Sequence, residues 1–89
     1  MKLTARVKIK NPLGLHARPA TAIAKLLQGS KCSVLFTYRK ETVNARSIMS
    51  ILMLAATKNS MITIAVDGED SERVLKQLVD AFNAGFGEL

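Results

Sequence analysis

The sequence predicts an α/β fold of the α+β kind. It is a two-layer open-faced sandwich in the order β-α-β-β-α-β-α, with a four-stranded antiparallel sheet covered on one face by three helices. Three observations carry this. Four short segments alternate apolar and polar residues, the period of strands that bury one face. Three segments are helical in pattern or composition, two of them with a clear apolar stripe. Strands with one wet face suit an antiparallel sheet, which leaves the other face for helices. The 89 residues are expected to form a single domain, residues 1–89.

Leu3, Ala5, Val7 and Ile9 alternate with Lys2, Thr4, Arg6, Lys8 and Lys10, giving a first strand with a basic outer face. Asn11-Pro12-Leu13-Gly14 is turn chemistry and ends it. From Ala17 to Gln28, Ala20, Ile23, Ala24 and Leu27 fall on one helical face, with Gly29 as the expected C-cap. Pro19 is tolerated because N–H groups in a first turn have no intrahelical acceptor. Cys32, Val34, Phe36 and Tyr38 mark a second strand, and Arg39-Lys40 a tight connection to a short third around Glu41-Thr42-Val43. Asn44 is the expected N-cap of a helix over Ala45–Leu54, which Thr57-Lys58-Asn59-Ser60 breaks. Met61–Val66 reads as the fourth strand and Asp67-Gly68 as a turn. Asp70 or Ser71 then caps a last helix with the stripe Val74, Leu75, Leu78, Val79, Phe82, ended by Gly85 and Gly87.

Composition removes several functional classes. No apolar run approaches the ~20 residues of a membrane span, so no membrane insertion is expected. The alternating start does not resemble the apolar core of a signal peptide, and a single cysteine, Cys32, precludes an internal disulfide; a cytoplasmic location is expected. One Cys and one His do not make a metal site, and no cofactor is expected. The net charge of +6 is unevenly spread. Residues 1–58 carry 11 basic side chains and one acidic, and residues 59–89 two basic and six acidic. Such a field steers toward acidic protein surfaces or nucleic acid. Aromatic residues are only 4% of the chain, and only Phe36 and Tyr38 fall in strands, so base-stacking platforms are lacking and no nucleic-acid partner is expected.

The only histidine, His16, sits where a loop becomes a helix, in Gly14-Leu15-His16-Ala17-Arg18-Pro19-Ala20-Thr21. A helix start has unpaired N–H groups and a partial positive charge, and so attracts anions. Histidine can form covalent intermediates, and a guanidinium adds bidentate oxygen recognition. The backbone N–H groups of Ala17 and Arg18 are the expected phosphate donors. The helix dipole and Arg18 disfavour imidazolium, so a neutral, nucleophilic ring is expected.

This motif resembles the active-site sequence of the HPr family, the histidine-containing phosphocarriers of the bacterial phosphoenolpyruvate-dependent sugar phosphotransferase system. A second region, Val43-Asn44-Ala45-Arg46-Ser47-Ile48-Met49, resembles the family's regulatory serine segment. The resemblance implies that Enzyme I phosphorylates His16 on Nδ1, that Arg18 coordinates the phosphate, and that enzyme II A components accept it. It also implies Ser47 as a regulatory phosphorylation site, with an HPr serine kinase/phosphorylase and a transcription regulator as further partners. Family members dock partners on exposed apolar residues here, which makes Ile48, Met49 and Leu52 expected contacts and Met53 a weaker one. Thr21 is expected to join them, with Lys25 and Arg46 steering acidic partners.

Two departures stand out. Asn59-Ser60 occupies a place where the family pattern has a glycine; Asn tolerates the left-handed conformation, so the turn is expected to survive. The segments Ile51–Ala56 and Phe82–Phe86 look closer to the nitrogen-related branch of the family, and the Ser47 region to the carbon branch. The alternative reading is therefore a regulatory binding module or nitrogen-branch phosphocarrier without a direct transport role.

Overall fold

A computed structural model describes all 89 residues. The strands are β1 (Lys2–Lys8), β2 (Ser33–Tyr38), β3 (Glu41–Asn44) and β4 (Met61–Asp67); the helices are α1 (Ala17–Leu27), α2 (Ile48–Met53) and α3 (Ser71–Asn83). The four strands form one antiparallel sheet in the order β1-β4-β2-β3. The helices cover one face, so the open-faced sandwich is the architecture. Alternation does what the sequence pattern requires. Val34, Phe36, Tyr38, Ile62, Ile64 and Val66 are buried under the helices, while Lys2, Thr4, Arg6 and Lys8 face solvent on the other side. Helix α3 lies over β1 and β4, and α1 packs on α2 and α3. Val74, Leu78 and Phe82 supply the α3 stripe, and Ala20, Ile23 and Leu27 that of α1. Phe82 meets Phe36 edge-to-face at 5.7 Å, tying α3 to the sheet.

One close approach sets the position of α1. Gly14 has φ +68°, and a Cβ there would lie 2.2 Å from the carbonyl oxygen of Ala56. The next residue, Leu15, donates its N–H to that same oxygen at 3.1 Å. The loop before α1 is thus docked on the segment after α2, where Ala55 takes φ +50°. Asn59 has φ +72° and donates to Ile9 O at 2.7 Å, and Ile9 donates to Ser60 O at 2.9 Å. The turn survives without glycine, as expected.

Several boundaries differ from the sequence reading. Helix α2 starts at Ile48, and its N-cap is Ser47, whose Oγ accepts from Ser50 N–H at 3.2 Å. Asn44 is the last residue of β3, and its Oδ1 accepts instead from Arg46 N–H at 2.9 Å. The same turn chemistry that makes Asn a cap lets it close a strand. Ala45 N–H donates to Val34 O at 2.9 Å, so the β2–β3 pairing runs on past Asn44 and the helix starts later. Helix α1 ends at Leu27 with Gln28 as C-cap, one residue before Gly29. Residues 85–87 form a separate 3-10 turn beyond α3.

The cap of α3 also differs. Asp70 occupies the N-cap position without a side-chain cap bond, and the Ser71 hydroxyl is buried and unpartnered. The Asp70 carboxylate instead accepts from Cys32 Sγ at 2.7 Å and Ser30 Oγ at 2.9 Å, and pairs with Arg73. The bonds from Cys32 and Ser30, more than Arg73, lower its pKa to about 2 against partial burial. This depressed value contributes stability above the ordinary aspartate range that is lost as pH falls toward 2. Asp70→Asn is expected to flatten the loss of stability between about pH 4 and 2, measured by urea denaturation across that range. Gly14→Ala is expected to destabilise the fold by about 2 kcal/mol or more and to lower Tm by about 10 °C, read by thermal unfolding.

Candidate functional site

His16 is the N-cap residue of α1, with φ −82° and ψ −167°. Its backbone oxygen accepts the first intrahelical bond, from Ala20 N–H at 3.1 Å. Pro19 has no N–H to offer. The N–H groups of Ala17 and Arg18 therefore stand at the helix start without intrahelical acceptors, and no side chain caps them. The His16 ring does not turn back over the helix to serve as a cap.

It turns instead to the C-terminal segment. His16 Nε2 lies 2.9 Å from both Glu88 Oε1 and Oε2. Asn11 is fully buried and donates from Nδ2 to Glu88 Oε1 at 2.9 Å and to Gly14 O at 2.6 Å. Arg18 Nε is 3.8 Å from Glu88 Oε2, with the rest of its side chain in solvent. The bond from His16 is the main cause that lowers the Glu88 pKa; partial burial opposes it, and Asn11 and the Arg18 charge add to it. A carboxylate can only accept, so Nε2 carries the proton. In the neutral ring that leaves Nδ1 unprotonated, and Nδ1 has no hydrogen-bond partner. The site thus presents one unpartnered ring nitrogen, two free backbone donors and a solvent-exposed guanidinium.

The tail reaches His16 through an abrupt turn. Gly85, Phe86 and Gly87 all have left-handed backbone, with φ of 59°, 54° and 77°. A Cβ on Gly85 would lie 2.5 Å from Leu89 Cγ. Phe86 packs edge-to-face on Phe82 at 4.9 Å, which anchors the turn to α3. Sequence reasoning took Gly85 and Gly87 as helix stops and did not single out Glu88 or Asn11. The two glycines around Phe86, followed by an acid, were the available signal, but the distance of 72 residues between His16 and Glu88 is closed only by the fold. Beside the helix start and Arg18, which the sequence already placed around the ring, the fold adds this carboxylate.

The remaining residues fall on two neighbouring helices. Thr21 and Lys25 are exposed on α1 and line a shallow depression with Ala17, Arg18 and Ala22. Ile48, Met49 and Met53 are exposed on α2 by 38%, 67% and 73%, whereas Leu52 is half-buried against the core. Ser47 is half-buried with its hydroxyl in the α2 cap. Arg46 has a different occupation. Its guanidinium donates to Leu27 O, Ser30 O and Cys32 O, covering the carbonyl end of α1. A cation there also meets the negative end of the helix dipole.

Comparison with known proteins places this open-faced sandwich among the small phosphocarrier proteins. A family model described as the PTS HPr component phosphorylation site matches residues 3–84. The phosphocarrier protein HPr of Chlamydia muridarum (strain MoPn / Nigg) is 51% identical over 88 residues, covering 99% of this chain and 85% of that protein. The phosphocarrier protein NPr of Escherichia coli (strain K12) is 36% identical, covering 99% of each. Among solved structures, HPr-C-His from Thermoanaerobacter tengcongensis superposes with a TM-score of 0.92 at 32% identity, covering 98% of both chains. The chain belongs to the HPr family of phosphocarrier proteins.

Glu88→Ala is expected to weaken the preference of neutral His16 for the Nε2–H form to that of a free imidazole, in which Nε2–H is still the major tautomer. Nitrogen chemical shifts of the ring should then move toward a mixture of tautomers, with the fold retained.

Proposed function

We propose that this protein accepts a phosphoryl group from Enzyme I, originally from phosphoenolpyruvate, on Nδ1 of His16. It then passes the group to enzyme II A components in the cytoplasm. The observation that carries this is the Glu88 carboxylate on Nε2, which leaves Nδ1 as the free lone pair beside the donors of Ala17 and Arg18.

The transfer is a displacement at phosphorus. The Nδ1 lone pair forms the new N–P bond as the donor's N–P bond breaks, and the donor ring keeps the released electron pair. Nε2 retains its proton throughout, so no base is required. Phosphoryl transfer needs mainly positioning and charge stabilisation. The Ala17 and Arg18 N–H groups and the Arg18 guanidinium provide donors for the phosphoryl oxygens. Glu88 is an orienting group: it fixes the tautomer and offsets the positive charge as phosphate arrives and leaves. Exposed Ile48 and Met49 supply an apolar docking surface, and Met adapts to several partners through its flexible side chain.

A second reading is supported by the half-buried Ser47 beside the exposed α2 residues and by the similarity to a phosphocarrier NPr. In it, Ser47 phosphorylation by an HPr serine kinase/phosphorylase regulates binding to a transcription regulator, without a direct transport role. Binding to such a partner that is unchanged by His16→Ala, with no phosphotransfer, would favour it.

Incubation with Enzyme I and phosphoenolpyruvate is expected to give acid-labile, base-stable phosphate on the wild type and none on His16→Ala. Equal labelling of both would sink the proposal. Arg18→Ala is expected to slow transfer by roughly 10–100-fold through loss of a charge-assisted contact, measured by rapid quench.

A further inference from the structure

We propose that the open face of the sheet is a docking surface for anionic membrane lipid, placed on the side of the molecule away from His16. The face opposite the helices carries Lys2, Arg6 and Lys8 along β1, and exposed Lys10 continues the alternation. At the rise of a strand, the row from Lys2 to Lys8 is about 20 Å long. None of these four side chains takes part in an ion pair, although the chain has five such pairs elsewhere. The one acid in the same sheet face, Asp67, faces the N-terminal amine at 3.7 Å.

The surface behind the row is flat and only mildly apolar. Arg6, Thr63, Thr37 and Thr42 stand in one cross-strand line, and Leu35 and Met61 are exposed by 38% and 37%. The three concavities of the molecule lie elsewhere. A protein interface usually needs a pocketed, desolvated anchor, and this face has none. Single-stranded nucleic acid needs stacking platforms, and Phe36 and Tyr38 point into the core. A lipid surface requires only basic charge at close range, with long side chains able to reach the headgroups. The helical layer and His16 would then face away from the bilayer, open to phosphotransfer partners. The same charges suit the phosphates of a duplex, so that alternative is made an arm of the test.

The test is co-sedimentation of the whole protein with vesicles of equal parts phosphatidylglycerol and phosphatidylcholine, at low and high salt. Binding is expected at low salt, falling as the Debye length shrinks from ~30 Å at 0.01 M to ~10 Å at 0.1 M. Each charge removed from the β1 row is expected to weaken partitioning about fivefold. The triple variant Lys2→Gln/Arg6→Gln/Lys8→Gln should therefore lose about 100-fold, and Lys8→Gln alone about fivefold, with Enzyme I phosphorylation in solution unchanged. A control, Lys31→Gln/Lys40→Gln/Lys58→Gln, has the same net charge and should retain most binding. No binding at low salt, or equal loss in both triple variants, would overturn the proposal. So would binding to pure phosphatidylcholine, or inert vesicles with tight duplex RNA binding that the β1 variant abolishes.

Discussion

The carbonyl oxygen of Ala56 occupies the space that any side chain at position 14 would need. It also accepts the N–H of Leu15, so the loop before α1 is fixed at two successive residues to the segment after α2. Everything at the site follows from that contact. It sets the direction in which α1 leaves the loop, places His16 at the cap, and brings α1 and α2 alongside one another. A left-handed backbone at Gly14 and another at Ala55 are the conformational cost of the approach. The buried amide of Asn11 reinforces it by donating to Gly14 O and to Glu88 at once.

The electrostatics of His16 are a balance of opposing fields. The start of α1 and the guanidinium of Arg18 favour an anion beside the ring. The Glu88 carboxylate, whose pKa the bond from His16 lowers, places a negative charge at Nε2. A phosphocarrier benefits from both. It must attract a phosphoryl group and must also release it, so neither state can be held too tightly. The arrangement also separates the two ring nitrogens by role: Nε2 is bonded to the tail, and Nδ1 is free.

The basic excess of the first 58 residues does not form one patch. Arg46 is spent on the carbonyl end of α1. Arg18 and Lys25 border the site, while Lys2, Arg6 and Lys8 lie on the far side of the sheet. A single count of net charge therefore describes three different physical situations: a structural cap, a rim beside His16 and an open face. Asp70 shows the same principle for an acid. Its place at the start of α3 suggests a cap, yet neighbours from another loop claim its Oδ1 and Arg73 its Oδ2.

Local pattern was enough to read the strands, the helices and the place of His16, because period two, period 3.6 and turn chemistry act between near neighbours. The Gly14–Thr21 motif and the tolerance of Asn59 for the left-handed turn were legible for the same reason. The start of α2 was not, because Asn44 and Ser47 are both good caps and the pairing of Ala45 N–H with Val34 O on the neighbouring strand chose between them. The role of Arg46, the partners of Asp70 and the approach of Glu88 to His16 depend on residues 14 to 72 positions apart. Sequence by itself determined the elements and the place of the lone histidine at a helix start. Only tertiary structure decided which of its two nitrogens is free, because that is set by a carboxylate delivered from the other end of the chain.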